Sequence, residues 1–233
     1  MIGLDRWGFF EVEVMKVGRH VFSILLVLGI ALIVISEGRA EQKPSLAILP
    51  FFVEKKEDPG RGAICPICKG VYRKGEILPS APVVLKRLLY PKMEALNIFD
   101  ILPPEKVEEV LSQRRSVEME ENLLSSSIQL GRDLAVDFLL AGVLFRFEER
   151  MGSSLGVEKP ASISFDLHLI RMRDGKMVWK SKIDETQQPL SENLFKIGGF
   201  LRRRASWLKA EELASVGMDE MLKGFPGIRE LEE

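Results

Sequence analysis

A strongly alternating segment at residues 161–184, ASISFDLHLIRMRDGKMVWKSKID, constrains the fold of this chain more than any other stretch. Apolar side chains occupy alternate positions on both sides of the pair Asp174-Gly175, namely Ile163, Phe165, Leu167, Leu169, Met177, Trp179 and Ile183. A period of two is typical of strands with one buried face, and Asp-Gly supplies the positive φ angles of a tight turn. The segment therefore predicts an antiparallel hairpin.

The remaining chain predicts further strands and helices around this hairpin. The expected elements are strands at 45–53, at 99–103 and from Phe138 onward, with helices from Pro82, at 103–113, just before Phe138 and at 209–225. Gly142 lies inside a predicted strand, where a bulge or a close backbone approach is expected. The predicted fold class is α/β (α+β): a single mixed sheet with helices, in the order β-α-β-α-α-β-β-β-α, with an antiparallel C-terminal hairpin.

The first forty residues are typical of an export signal. Residues 21–35 form an uncharged apolar run, Lys16 and Arg19 precede it, and the small residues Gly38 and Ala40 follow it. A membrane-spanning helix needs about 20 apolar residues, whereas the core of a signal peptide needs roughly 7–15. We predict that residues 1–40 are a signal peptide, with an uncleaved N-terminal anchor as the alternative.

The mature part is then residues 41–233, which we predict to be a single domain outside the cytoplasm. Residues 1–14 carry three acidic side chains, which signal peptides rarely do, so Met15 is the better start. No lipid-attachment cysteine follows the apolar run. The predicted location is periplasmic or envelope-associated, where disulfides persist.

Three stretches resemble a group of bacterial envelope proteins. They are SLAILPF near residue 45, GRDLAVDFLLAGVLFRF from residue 131, and the hairpin from residue 163, which runs through an Asp-Gly turn to Trp179. The group comprises the curli-secretion lipoprotein family, the penicillin-binding-protein activator lipoproteins and the N-terminal domain of the Tol translocation protein. The resemblance implies the fold and the envelope compartment more than an activity. The expected partner is an envelope protein, with further copies of this chain as a second possibility. Residues 54–79, which hold both cysteines, are an insertion relative to that group.

Cys65 and Cys68, in GAICPICKG, leave three interpretations open. We favour a structural disulfide, because the predicted compartment is oxidising. A thioredoxin-type redox site needs a strand before the pair and a helix after it, and these flanks are turn-like instead. Zinc needs two more ligands, so it would require a second subunit or another protein, because His168 on a predicted strand is the sole histidine of the mature part. CPICKG does resemble one knuckle of a zinc ribbon.

His168 alternates with Asp166 and Ser164 on one face of its strand. Side chains at i and i+2 are about 6–7 Å apart along a strand, which is too far for the contacts of a catalytic triad. We therefore predict a solvated polar strand face here, without catalysis.

The basic cluster Arg202, Arg203 and Arg204, with Trp207 beside it, is a candidate for contact with a partner or an anionic membrane, and a solvated loop is the alternative. The chain has 33 basic and 34 acidic residues, so no overall field favours nucleic acid. We find no catalytic set and predict no enzyme and no cofactor other than zinc. The predicted function is a non-catalytic exported protein acting by protein–protein interaction in envelope assembly or secretion; the alternative is a thiol–disulfide or zinc-binding protein.

Overall fold

The computed structural model describes residues 43–54, 62–113, 122–153, 156–187 and 207–233. The strands are β1 Ser45–Ile48, β2 Phe52–Val53, β3 Ala63–Ile64, β4 Val71–Tyr72, β5 Asp100–Ile101, β6 Phe138–Glu148, β7 Met151–Gly152, β8 Val157–Lys159, β9 Ser162–Arg171 and β10 Lys176–Thr186. The helices are α1 Ala81–Leu96, α2 Pro104–Ser112, α3 Leu123–Asp133, α4 Ala210–Leu222 and α5 Ile228–Glu232.

The predicted signal segment at 1–40, with Met15, lies outside the described residues. Within the ranges that the structure describes, no helix has both the length and the apolar character needed to cross a membrane.

The central element is a six-stranded mixed sheet with the strand order β10-β9-β6-β1-β5, and β2 also pairs with β6. β1 runs parallel to β5 and β6, and β2 also runs parallel to β6, while β9 is antiparallel to both β6 and β10. Helices lie between and after these strands in the expected order. The predicted mixed α/β class with an antiparallel hairpin is therefore confirmed.

Both faces of the central strands are covered. On one face, alternate residues of β9 such as Phe165 and Leu167 pack with apolar residues of α1 and α4, including Leu89 and Leu213. On the other face, residues of β6 such as Phe145 pack with α2, α3 and residues 63–72. β9 is buried on both sides, so its polar residues do not face solvent as an alternating pattern predicts.

Two irregularities in β6 follow from its packing. The ring of Phe51 lies against Gly142, where a Cβ atom would come within 2.6 Å of it, so the close approach predicted at this glycine is present. The register between β6 and β9 shifts between Leu144 and Arg146, which makes Phe145 the extra residue of a bulge. Phe145 is fully buried against the second face.

The β9–β10 hairpin pairs from Arg171–Lys176 to Ser162–Thr186. Gly175 has φ +69° and donates its backbone N–H to the carbonyl of Arg171 at 2.9 Å. Asp174 has no positive φ; its carboxylate instead accepts from the Arg171 guanidinium and from the backbone N–H of Lys176.

Candidate metal centre

Both cysteines lie in a compact turn, residues 62–72, which we call the cysteine loop. The strands β3 and β4 close it with two residue pairs, and Cys65 N–H donates to the Gly70 carbonyl at 2.8 Å. Lys69, with φ +61°, donates its N–H back to the Cys65 carbonyl at 3.0 Å. The N–H of Cys68 points at Cys65 Sγ, 3.4 Å away. This local geometry puts both sulfur atoms on the same side of the turn.

The cysteine loop covers part of the second sheet face. Its inward side chains, Ala63, Cys65, Ile67 and Tyr72, are all buried. The Tyr72 ring stacks on Phe145 with centroids 4.0 Å apart and planes 5° apart. The ammonium of Lys182 on β10 lies 5.7 Å from the centre of the same ring. Stacking on the bulged residue of β6 thus anchors one end of the loop.

Three polar side chains of β9 lie under this cover. Ser164 and His168 are 0% exposed, and Asp166 is 1% exposed. The prediction of a solvated polar face is therefore wrong, because the inserted loop packs on that face. Ser164 Oγ has no hydrogen-bond partner among the described residues, so it is not the nucleophile of a Ser–His pair.

Cys65, Cys68, Asp166 and His168 converge on one point. One ligand atom from each residue lies within 4.8 Å of all the others. His168 Nε2 is 3.4 Å from Asp166 Oδ2 and 3.7 Å from Cys65 Sγ. Cys68 Sγ is 3.6 Å from the same Asp166 oxygen. The chain itself therefore supplies four ligands, and the second subunit that the sequence seemed to require is not needed.

These separations match the edges of a zinc tetrahedron. Typical bonds are about 2.0–2.2 Å from Zn²⁺ to nitrogen or oxygen and about 2.3 Å to sulfur. At tetrahedral angles, these lengths place a nitrogen and an oxygen ligand about 3.4 Å apart, and a sulfur about 3.6 Å from either. The three measured distances, 3.4, 3.6 and 3.7 Å, agree with those values.

Two polar atoms of this ligand set lack a hydrogen-bond partner among the described residues. Asp166 Oδ1 and His168 Nδ1 are buried and make no hydrogen bond with any described residue. Burying such atoms costs about 1–3 kcal/mol each unless something compensates. A divalent cation would offset part of this cost, because it bonds directly to the carboxylate and to the other ring nitrogen.

Neighbouring groups and burial shift the pKa values of Cys65, Cys68 and His168. Burial raises the pKa of the Cys65 thiol, and the negative charge of Asp166 raises it further. Burial also raises the pKa of Cys68, but hydrogen bonds from His168 and from the Gly70 backbone outweigh it, so the pKa is lowered overall. Burial lowers the pKa of His168, whereas the hydrogen bond and charge of Asp166 raise it, with a raised net value. An arriving metal ion competes with these protons.

Both cysteines are free thiols in this structure, and the predicted disulfide stays a prediction. From the sequence, His168 was the one further zinc ligand that could be named, and Asp166 was not predicted to join it. Two features of the sequence pointed to such a site. CPICKG resembles a zinc knuckle, and residues 166 and 168 lie on the same face of one strand. Nothing in the sequence showed that the loop folds over β9.

The predicted contact with a partner or a membrane involves Arg202, Arg203, Arg204 and Trp207. Arg202, Arg203 and Arg204 lie outside the described residues. Trp207 is half-buried. The backbone N–H of the next residue, Leu208, donates to the Gln187 side chain at 2.8 Å. Membrane or partner contact through the basic cluster remains a prediction.

No protein-family model matches this chain. No curated protein matches it. Among solved structures, it is similar to the PelC dodecamer from Paraburkholderia phytofirmans, with 11% identity over 77% of this chain and 85% of that chain and a TM-score of 0.43.

Two further solved structures are similar. A lipoprotein from Neisseria meningitidis is 13% identical, covering 70% of this chain and 94% of that chain, with a TM-score of 0.40. The LpoB C-terminal domain from Salmonella enterica is 10% identical, covering 65% of this chain and 89% of that chain, with a TM-score of 0.39. At such identities and TM-scores these similarities carry no argument about function, which must come from the residues themselves.

Proposed function

We propose that this protein binds one Zn²⁺ ion through Cys65, Cys68, Asp166 and His168, and that the ion fastens the cysteine loop to the central sheet. The observation that supports this proposal is the convergence of four ligand atoms, from two distant parts of the chain, within 4.8 Å. Three of their separations, 3.4, 3.6 and 3.7 Å, agree with the edges of a tetrahedral zinc site.

The donor set favours zinc over other common ions. Two thiolates and an imidazole are poor ligands for Mg²⁺ and Ca²⁺, which take oxygen donors. Copper(II) and nickel(II) favour square-planar or tetragonal sites built from nitrogen and oxygen, whereas two thiolates with an imidazole are a ligand set that suits zinc. One carboxylate completes the set without changing that preference, because zinc also accepts carboxylate oxygen.

The site is closed, which favours a structural role over a catalytic one. A catalytic zinc keeps one position open for water or substrate, whereas here the protein supplies all four ligands. Cys65, Asp166 and His168 are at most 1% exposed, so a substrate has no direct access to them. The metal would therefore hold the loop in place.

Such a metal contributes to folding because the loop has little structure of its own. Its ladder consists of only two residue pairs, Ala63 with Tyr72 and Ile64 with Val71. A ligand that binds the folded state alone stabilises it by about 4 kcal/mol when its free concentration is a thousand times its Kd.

In the cell, we propose that residues 41–233 act outside the cytoplasm as a non-catalytic protein that binds an envelope partner or further copies of itself. The support is the export-like pattern of the first forty residues and the resemblance described above. Fractionation of cells that make the chain, with native mass measurement, tests this. A cytoplasmic monomer would contradict it.

Metal analysis of the purified chain tests the zinc proposal. The chain should hold one Zn²⁺ per molecule, and Co²⁺ substituted for it should give the intense visible bands of a tetrahedral thiolate site. His168→Ala should lose the metal and these bands. Ser164→Ala is the matched control, because Ser164 lies on the same buried strand face but outside the ligand set. Zinc-free wild-type protein, or equal zinc in His168→Ala, would overturn the proposal.

A further inference from the structure

We infer that Cys65 and Cys68 also form a reversible disulfide whose formation expels the zinc ion. This inference rests on the zinc site proposed above. The cysteine loop then has two states, a reduced state that holds the metal and an oxidised state that does not. The same pair of residues thereby serves as a metal ligand and as a two-electron redox centre.

The geometry of the loop places the two sulfur atoms close enough for this reaction. Both belong to one tight turn, in which the N–H of Cys68 lies 3.4 Å from Cys65 Sγ. They also belong to one set of ligand atoms, none more than 4.8 Å from another. A disulfide needs the sulfurs about 2.0 Å apart, which a rotation of side chains within one turn achieves.

The two thiols differ in exposure, which sets the order of events. Cys65 is 0% exposed, whereas Cys68 is partly exposed. An oxidant from solvent therefore meets Cys68 first.

The reaction with a small-molecule disulfide, RSSR, proceeds in two exchanges. The Cys68 thiolate attacks one sulfur of RSSR, forms a mixed disulfide and releases one RS⁻. The Cys65 thiolate then attacks the Cys68 sulfur, closes the internal disulfide and releases the second RS⁻. The two protein thiolates are oxidised, RSSR is reduced by two electrons, both RS⁻ ions take up protons to give two RSH, and Zn²⁺ leaves.

The metal leaves because oxidation removes half of its ligands. A neutral disulfide sulfur is not a zinc ligand, since zinc binds the thiolate. Only Asp166 and His168 remain, and two ligands do not hold a structural zinc ion. These two residues stay 3.4 Å apart and can pair with each other, so the sheet beneath the loop survives the loss.

Oxidised glutathione is the probe for a direct test. The purified 233-residue chain is loaded with zinc and treated with oxidised glutathione, while released zinc is followed with a chromophoric chelator and the protein by intact mass. We expect one zinc ion released for each internal disulfide formed, with a mass lower by two hydrogens. Dithiothreitol with added zinc should restore the starting state. Disulfide formation with retained zinc would overturn the inference.

Two single substitutions separate the roles of the cysteines. Cys65→Ser lacks the resolving thiol, so it should accumulate a stable glutathione adduct on Cys68. Cys68→Ser leaves only the buried thiol, so it should form the adduct at least tenfold more slowly. Circular dichroism checks that both variants are folded. Equal adduct formation in the two variants would overturn the proposed order of attack.

The test distinguishes failure of this inference from failure of the zinc proposal. If the wild-type chain never binds zinc, the zinc proposal fails and so does the coupling that rests on it. If the chain binds zinc but oxidised glutathione neither forms the internal disulfide nor releases the metal, the zinc proposal stands and the redox inference alone is overturned.

Discussion

The imidazole Nε2 of His168 lies 3.4 Å from Oδ2 of Asp166, the residue two positions earlier on β9. Side chains at i and i+2 of a strand start about 6–7 Å apart, so these two lean toward each other. Their convergence places two of the four clustered ligand atoms on a buried sheet face, and the cysteine loop supplies the other two.

Zinc removal should loosen the cysteine loop before it unfolds the sheet. Lys69 and Arg73 are exposed trypsin sites in or next to that loop. We expect a chelator to speed cleavage there at least tenfold, because the loop otherwise has a ladder of only two residue pairs. Limited trypsin digestion with mass spectrometry measures this.

Readdition of zinc is the control for that digestion, and it should restore protection. The His168→Ala variant should be cleaved at the fast rate with or without the chelator. A cleavage rate that is unchanged by chelator in zinc-loaded wild-type protein would argue against a metal that fastens the loop.

Arg146 is a buried cation whose loss should be costly. Its guanidinium donates to Ser162 Oγ at 2.6 Å, to the carbonyls of Arg73 and Ile163 at 2.8 and 3.1 Å, and to Asp184 Oδ1 at 2.6 Å. We expect Arg146→Met to lower the free energy of unfolding by about 2–4 kcal/mol, because it leaves partners of a charged group unpaired. Urea denaturation measures this value.

Arg87→Met is the matched control for that experiment. Arg87 pairs with Glu211 at 2.6 Å, but its side chain is 65% exposed. Exposed ion pairs contribute about 0–1 kcal/mol, so the control should lose no more than that. Equal losses in both variants would show that burial of Arg146 is not what makes it important.

Gly142→Ala should destabilise the sheet despite the small size of the change. The new methyl group would come within 2.6 Å of the Phe51 ring, which is itself held edge-on to Phe165 at 5.8 Å. Overpacking of this kind costs about 1–3 kcal/mol. Thermal and urea unfolding measure the loss.

Gly224→Ala serves as the comparison for that substitution, because among the described residues no atom other than those of its chain neighbours lies within 4 Å of the added carbon. Its stability should stay within about 0.5 kcal/mol of the wild type, as expected for a surface change. Similar destabilisation in both variants would contradict the packing argument.

Asp174 should make the β9–β10 hairpin sensitive to acid. Hydrogen bonds from the Arg171 guanidinium lower the pKa of Asp174 to about 2, and the Lys176 N–H contributes. Because the folded pKa is below the unfolded value of about 3.9, the carboxylate stabilises the fold above about pH 4 and loses this effect toward pH 2. The stability difference between wild type and Asp174→Asn should shrink over that interval.

Denaturant unfolding at several pH values measures that difference. Asparagine keeps the shape and the turn preference of aspartate, so it isolates the charge. A difference that stays constant from pH 5 to about pH 2 would contradict the assignment to Asp174.

Much of the fold could be predicted from local patterns. The alternation around Asp174-Gly175 predicted the hairpin, and the chain order of strands and helices matches the structure. A bulge or a close backbone approach was expected in β6 at Gly142, but the bulge lies at Phe145, which the strand's own sequence pattern did not indicate. The Tyr72 ring that stacks on Phe145 comes from the inserted cysteine loop, a contact that no local pattern specifies.

The candidate site, like the fold, could be predicted from the sequence only in part. The sequence by itself determined the chemistry of its parts: two thiols in one turn, and a carboxylate and an imidazole on one face of one strand. Only the tertiary structure decided that these parts meet, because Cys65 and His168 are separated by 103 positions and no local pattern specifies which segment covers a given sheet face. Packing of the cysteine loop on β9 turned an expected solvated surface into a buried four-ligand cluster.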